Sequence, residues 1–104
     1  MKKNISIIGC GAIGSELALS VDKTMNENIS ISSLLDIKLE NAEGLKSKLS
    51  NNNPLVFNNF SEYIKSANFK DVNLVIEAAS QKALTNYLNL FRSYSLSLHD
   101  ALPI

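Results

Sequence analysis

A chain of 104 residues, 45% hydrophobic and 19% charged, is long enough for one domain with a real core and short for two. Lys plus Arg and Asp plus Glu balance at 10 each, so no net field draws it to nucleic acid or an anionic membrane. One cysteine excludes an internal disulfide and a cysteine metal cluster. No run approaches the roughly 18 apolar residues of a membrane span, so the expectation is a cytoplasmic protein with no bound metal.

The start, Met1-Lys2-Lys3-Asn4, has the charge of a signal peptide, but the apolar run after it is interrupted at once by Ser6 and then by glycines. Asn4 to Ile8 therefore reads as a strand, rich in isoleucine as befits a parallel strand covered on both faces. Gly9, Gly11 and Gly14 follow at G-x-G-x-x-G spacing, and from Ala12 the residues Ile13, Leu17, Ala18 and Val21 repeat at helical period until Met25 to Asn28. A glycine pattern gains meaning only from the strand before it and the helix after it, and both are present. Each glycine has its own task. Gly9 makes the tight turn, Gly11 lets the backbone approach a pyrophosphate, and Gly14 lets the helix pack on the strand. The helix then presents its unpaired N–H groups and positive dipole end to phosphate, with Ala12 and Ile13 between the glycines. Cys10 reads as a small filler of the turn rather than as a reactive thiol beside the helix.

Ile29 to Leu35 alternates and then turns continuously apolar, a second strand closed by Asp36. Asp36 lies 22 residues beyond Gly14, near the spacing of about 20 at which a dinucleotide-binding unit places a carboxylate on the ribose hydroxyls. Ile37 adjoins it. The competing reading is a solvated aspartate that ends the strand. Lys38 to Leu49 predicts a helix with Leu39, Ala42, Leu45 and Leu49 inward, weakened by Gly44. Ser50 to Pro54 is a loop, Leu55 to Phe57 a short third strand, and Ser61 an N-cap for a brief helix ending near Asn68. Tyr63 reads as packing more readily than as a platform for adenine.

Val72 to Ile76 predicts a fourth strand, followed by Glu77-Ala78-Ala79-Ser80. In a doubly wound sheet this segment lies at the carboxyl ends of the strands, where Ala78, Ala79 and Ser80 permit close approach of a cofactor. Glu77 reads as a capping or pairing carboxylate with no catalytic role. Gln81 to Tyr94 predicts a last helix. The order implies an α/β, Rossmann-type doubly wound parallel sheet of about four strands with helices on both faces, spanning residues 1–94.

With these residues in place, the chain resembles the N-terminal cofactor domain of the L-aspartate dehydrogenase family, a relative of the homoserine dehydrogenase cofactor domain. Two stretches carry the resemblance, across about residues 4 to 92: Ile7 to Ser15, shared by many dehydrogenases, and Val75 to Ala83, more specific to this family. The resemblance implies oxidation of L-aspartate to iminoaspartate with NAD, NADP being tolerated, in support of NAD biosynthesis. It also implies a substrate domain with a catalytic histidine and a homo-oligomeric parent protein. No counterpart of that domain is in this sequence, so the chain is expected to be a cofactor-binding piece, inactive alone and without catalytic residues of its own. Ser95 to Ile104 matches nothing in the family, resembles a translated sequencing adapter, and is expected to lie outside the fold; His99 within it lacks the neighbours a catalytic histidine needs. Two other functions remain open: the cofactor domain of a homoserine dehydrogenase-like enzyme, and a non-catalytic NAD(H)-sensing module.

Overall fold

The computed structural model describes residues 2–78. The expected last helix, the 95–104 tail with His99, and the candidate site residues Ala79 and Ser80 lie outside the described residues. The elements are β1 (Lys3–Ile8), α1 (Ala12–Thr24), β2 (Ile29–Leu35), α2 (Leu39–Lys48), β3 (Leu55–Phe57), α3 (Phe60–Lys65), a 3-10 helix (Ala67–Asp71) and β4 (Leu74–Glu77). The strands form one parallel sheet in the order β3-β2-β1-β4. Succession runs outward from β1 through β2 to β3 and then returns to place β4 on the other side of β1. The reversal opens a crevice at the carboxyl ends of β1 and β4, where sheets of this class bind ligands.

Each face of the sheet has its own core. Ile5 and Ile7 of β1 and Ile31 and Leu34 of β2 meet Ala18 and Val21 of α1 and Ala42, Leu45 and Leu49 from α2 and its end. Ile8, Leu35 and Val75 face the other way, against Phe60, Tyr63 and Ile64 of α3 with Phe69 and Val72. Full burial of side chains of this size stabilises by about 1.5–3 kcal/mol each, so the two layers carry most of the favourable energy. Ile31 and Leu34 share a face although they are three residues apart, because the β1–β2 register shifts between Ile5 and Ser6. Ile5 pairs with Ile31 but Ser6 pairs with Ser33, which leaves Ser32 as the extra residue. Its hydroxyl donates to the carbonyl of Ile5 at 3.1 Å.

Several local expectations change. Of the expected α1 stripe, Ala18 and Val21 are buried and Leu17 packs against the core, but Ile13 is 74% exposed, and Gly14 and Asp22 are buried in addition. Gly14 must face β1 for the close approach, and one residue is a rotation of about 100° around the helix, which swings Ile13 outward. Leu39 is likewise exposed at the first turn of α2 while Ala42, Leu45 and Leu49 are buried. The cap of α3 is Asn59 rather than Ser61: its side chain accepts from the Glu62 N–H at 3.1 Å, and Phe60 is already helical and buried. The chain then caps again at Ser66, whose hydroxyl accepts from the Phe69 N–H at 3.2 Å, and makes the 3-10 helix in place of a longer α3. Val72 belongs to that turn, donating to the Phe69 carbonyl, so β4 starts at Leu74. Among the described residues no helix is long and apolar enough to cross a membrane.

Candidate functional site

The carboxyl end of β1 is built around a left-handed residue. Gly9 has φ 96°, a conformation L side chains rarely adopt, and its N–H donates to the Leu35 carbonyl at 2.8 Å. This hydrogen bond continues the β1–β2 ladder one step past the strand before the chain turns into α1. Gly14 is the packing glycine. A Cβ there would lie 1.8 Å from the Gly9 carbonyl oxygen and 3.4 Å from the Ala78 Cβ. Gly11 differs from both. It is exposed, its φ of −77° is ordinary, and a Cβ built on it meets nothing within 4 Å. Its lack of a side chain therefore leaves open space in front of the backbone at the mouth of α1.

Helix α1 begins there with Gly11 as its N-cap, without a capping side-chain hydrogen bond and without an acidic residue in its first turn. No carboxylate neutralises its positive end from within. The Ser15 hydroxyl instead secures the turn from below, donating to the Cys10 carbonyl at 2.9 Å, while the Ser15 N–H donates to Gly11. Ala12 and Ile13 are exposed beside Gly11.

Asp36 joins the turn to the end of β2. It is 9% exposed, and its two carboxylate oxygens each accept one backbone hydrogen bond: Oδ2 from the Cys10 N–H and Oδ1 from the Lys38 N–H, both at 2.8 Å. It is thus more than a strand terminator, since it ties the turn after β1 to the turn after β2. A carboxylate has about four acceptor positions, so about two are uncommitted. Ile37 is 68% exposed at the same rim. Cys10 is buried between the turn and the α1 core, and its thiol is pushed up to about 12 by burial first and the Asp36 charge second. It is a protonated filler of the turn, its Sγ pointing to the Leu35 carbonyl at 3.9 Å.

The structure brings Gly9, Gly11, Ala12, Ile13, Gly14, Asp36, Ile37 and Ala78 to one end of the sheet. The Ala78 N–H donates to the Ile8 carbonyl at 2.7 Å, which holds the start of the small-residue segment against β1 beside Gly14. Tyr63 is fully buried under the sheet and is core. Glu77 neither caps nor pairs: both of its carboxylate oxygens are buried without a hydrogen-bond partner among the described residues, and burial pushes its pKa to about 7. Asp22 escaped sequence reasoning altogether. It is 3% exposed in the last turn of α1 and holds the 50–52 loop. The polar cluster Ser50-Asn51-Asn52 was the one available signal, because such a loop needs an acceptor to order it.

No protein-family model matches this chain, and no curated protein matches it. Solved structures do. A myo-inositol dehydrogenase from Corynebacterium glutamicum superposes with a TM-score of 0.73 at 16% identity, over 99% of this chain and 28% of its own. A scyllo-inositol dehydrogenase from Lactobacillus casei, with bound NAD(H) and scyllo-inositol, gives 0.64 at 17% over 86% and 26%. A myo-inositol dehydrogenase from Lactobacillus casei, in complex with NAD(H) and myo-inositol, gives 0.62 at 19% over 76% and 22%. The chain spans about a quarter of the length of these structures. At these identities the likeness establishes the fold, a Rossmann-type α/β fold shared with part of these inositol dehydrogenases.

Proposed function

We propose that this chain is an NAD-binding domain and that it serves a dehydrogenase acting on L-aspartate through a substrate domain outside this sequence. The observation that carries the cofactor reading is the Asp36 carboxylate, half of its acceptor capacity uncommitted, held by the Cys10 N–H next to the open face of Gly11. The residues fit the group. Gly11 lets pyrophosphate reach the N–H groups that start α1, Asp36 accepts from the ribose hydroxyls, Ile13 and Ile37 offer apolar rims, and Ala78 keeps the wall by β4 low. When bound, NAD supplies the hydride acceptor, and the protein supplies its orientation. The two Lactobacillus casei neighbours carry NAD(H), which supports the choice of cofactor. The substrate rests on a different observation, the similarity of Val75 to Ala83 to the L-aspartate dehydrogenase family.

The test is calorimetric titration of NAD into the chain and into Gly11→Ala. A methyl group at Gly11 meets no protein atom, so folding should change by less than about 1 kcal/mol while NAD affinity falls at least tenfold, about 1.4 kcal/mol. Equal affinity for both proteins rejects the cofactor reading. For the substrate, the full-length parent is assayed for NAD reduction with L-aspartate, L-homoserine and myo-inositol. Turnover of aspartate above the other two is expected; preference for homoserine moves the chain to the related enzyme, and NAD binding without turnover of any of them identifies a sensor.

A further inference from the structure

The α3 face of the sheet contains a polar cluster that the cofactor site does not use. Ser6 and Ser33, paired across β1 and β2 by the register shift, are buried, and their hydroxyls hydrogen-bond to each other. Tyr63 stands over them with its ring held edge-on by Phe57, Phe60 and Phe69, at centroid distances of 5.7, 5.9 and 4.9 Å. The phenol cannot swing away to find a partner, and its hydroxyl has none among the described residues. Glu77 completes the group from the end of β4, opposite Ile8, with both carboxylate oxygens equally unpartnered. Burial raises the Tyr63 pKa well above its usual value, with the nearby Glu77 carboxylate adding to the rise, so the phenol is a hydrogen-bond donor at all physiological pH. The Ser6 and Ser33 hydroxyls act the other way on Tyr63, yet neither makes a hydrogen bond of proper geometry to it.

The accounting of donors and acceptors points to the missing member. Within the serine pair one hydroxyl proton is used and one is left over; Tyr63 has one proton to give; Glu77, when ionised above about pH 7, has two oxygens to receive. A molecule that accepts two hydrogen bonds and donates two balances all of them, and buried waters make two to four such bonds to groups otherwise unsatisfied. We propose that Ser6, Ser33, Tyr63 and Glu77 form a buried binding site for one ordered water molecule, which joins α3 to the ends of β1 and β4 under the crevice. The water accepts from Tyr63 and from the free serine proton and donates to Glu77.

A high-resolution crystal structure of the full chain tests the site directly. A single peak within about 3.2 Å of both Tyr63 Oη and a Glu77 carboxylate oxygen is expected. A direct Tyr63–Glu77 hydrogen bond, a side chain in that place, or a monovalent cation identified by anomalous scattering of a heavier congener overturns the proposal. Tyr63→Phe supplies a second reading, because it keeps the ring contacts and removes only the hydroxyl. If the hydroxyl is bound to water, Tm falls by about 4–8 °C and the peak is lost from the variant's structure. An unchanged or higher Tm means that the hydroxyl had no partner to lose, and the water site is rejected.

Discussion

Asp22 and Asp36 are buried aspartates at the two ends of α1, and each accepts hydrogen bonds from the backbone of a distant loop. At the far end, Asp22 Oδ2 accepts from the Ser50 N–H, and Oδ1 from the Asn51 N–H and the Asn52 side chain, at 2.8–2.9 Å. The Asn52 side-chain amide oxygen, Oδ1, in turn accepts from the Ile31 N–H, so the cluster fastens α1, the 50–52 loop and β2 together. At the crevice end, Asp36 accepts only from Cys10 and Lys38. Both acids order a loop, but Asp22 accepts three hydrogen bonds from protein donors through its carboxylate and Asp36 only two. Burial alone does not separate the two acids; the number of acceptor positions each has committed does.

The largest effect should come from Gly14, whose replacement strikes the Asp36 end through the backbone. A Gly14→Ala methyl group, 1.8 Å from the Gly9 carbonyl oxygen, forces apart the turn that Asp36 holds, at a cost of about 3 kcal/mol or more in chemical denaturation. A loss below about 1 kcal/mol would show that α1 shifts freely on β1 and that the Asp36 geometry is not rigidly set. Next is Asp22→Ala, which leaves buried donors on Ser50, Asn51 and Asn52 and should cost about 2–3 kcal/mol with NAD affinity unchanged. An equal loss of affinity would erase the distinction between the two acids.

The same pair separates by pH. Burial raises the Asp22 pKa, but hydrogen bonds from the Asn52 side chain and from the Ser50, Asn51 and Asn52 backbone outweigh it and hold the carboxyl below its ordinary value. A depressed acid contributes stability that is present above its unfolded pKa and lost as pH falls through the folded one. Glu77 has the opposite sign. Its folded pKa of about 7 against 4.5 means that the native state holds the proton longer, so stability declines as pH rises from 4.5 through 7. Denaturation curves should therefore show Asp22→Ala flattening the acid limb below pH 4 and Glu77→Gln flattening the decline toward pH 7. Parallel curves for wild type and variants would refute both assignments.

Much of this was legible in the sequence, for identifiable reasons. Strands β2 and β3 fall where residue type places them, because Ile29 to Leu35 and Leu55 to Phe57 are bounded by strong breakers. The glycine turn follows from spacing, since Gly9 and Gly14 each answer a local steric demand. Even the bulge left a trace: the alternation of Ile29 to Ile31 slips phase at Ser32-Ser33 before Leu34-Leu35. What could not be read depends on partners distant in the chain. Asp22 meets residues 28 to 30 positions later, and Ser6 meets Ser33 only after a register shift that local pattern does not specify. The outward turn of Ile13 had the same origin, because the helix is oriented by Gly14 against Gly9 rather than by its own apolar content.

The finest test of the two acids is cofactor choice, in which only Asp36 should take part. Its free acceptor positions suit two ribose hydroxyls, and each charge-assisted bond contributes about 1.5–3 kcal/mol, whereas a 2′-phosphate in the same place brings like charge into a confined site. NAD should therefore bind better than NADP. Asp36→Ser also removes the tether to Cys10 and Lys38, so affinity for both cofactors falls and only the ratio is informative. That ratio of NADP to NAD affinity should rise at least tenfold, about 1.4 kcal/mol. The exposed Lys38, whose N–H is bound to Asp36 Oδ1, moderates the preference, because its flexible ammonium can reach a 2′-phosphate. Lys38→Ala should then weaken NADP by about two- to threefold and leave NAD nearly unchanged, the modest size expected of an exposed charge contact. The measurement is paired calorimetric titration of both cofactors against wild type, Asp36→Ser, Lys38→Ala and Asp22→Ala. If the ratio moves in Asp22→Ala as much as in Asp36→Ser, it reports general loosening of α1. If it moves in Asp36→Ser alone, the uncommitted oxygens of that one acid set the choice.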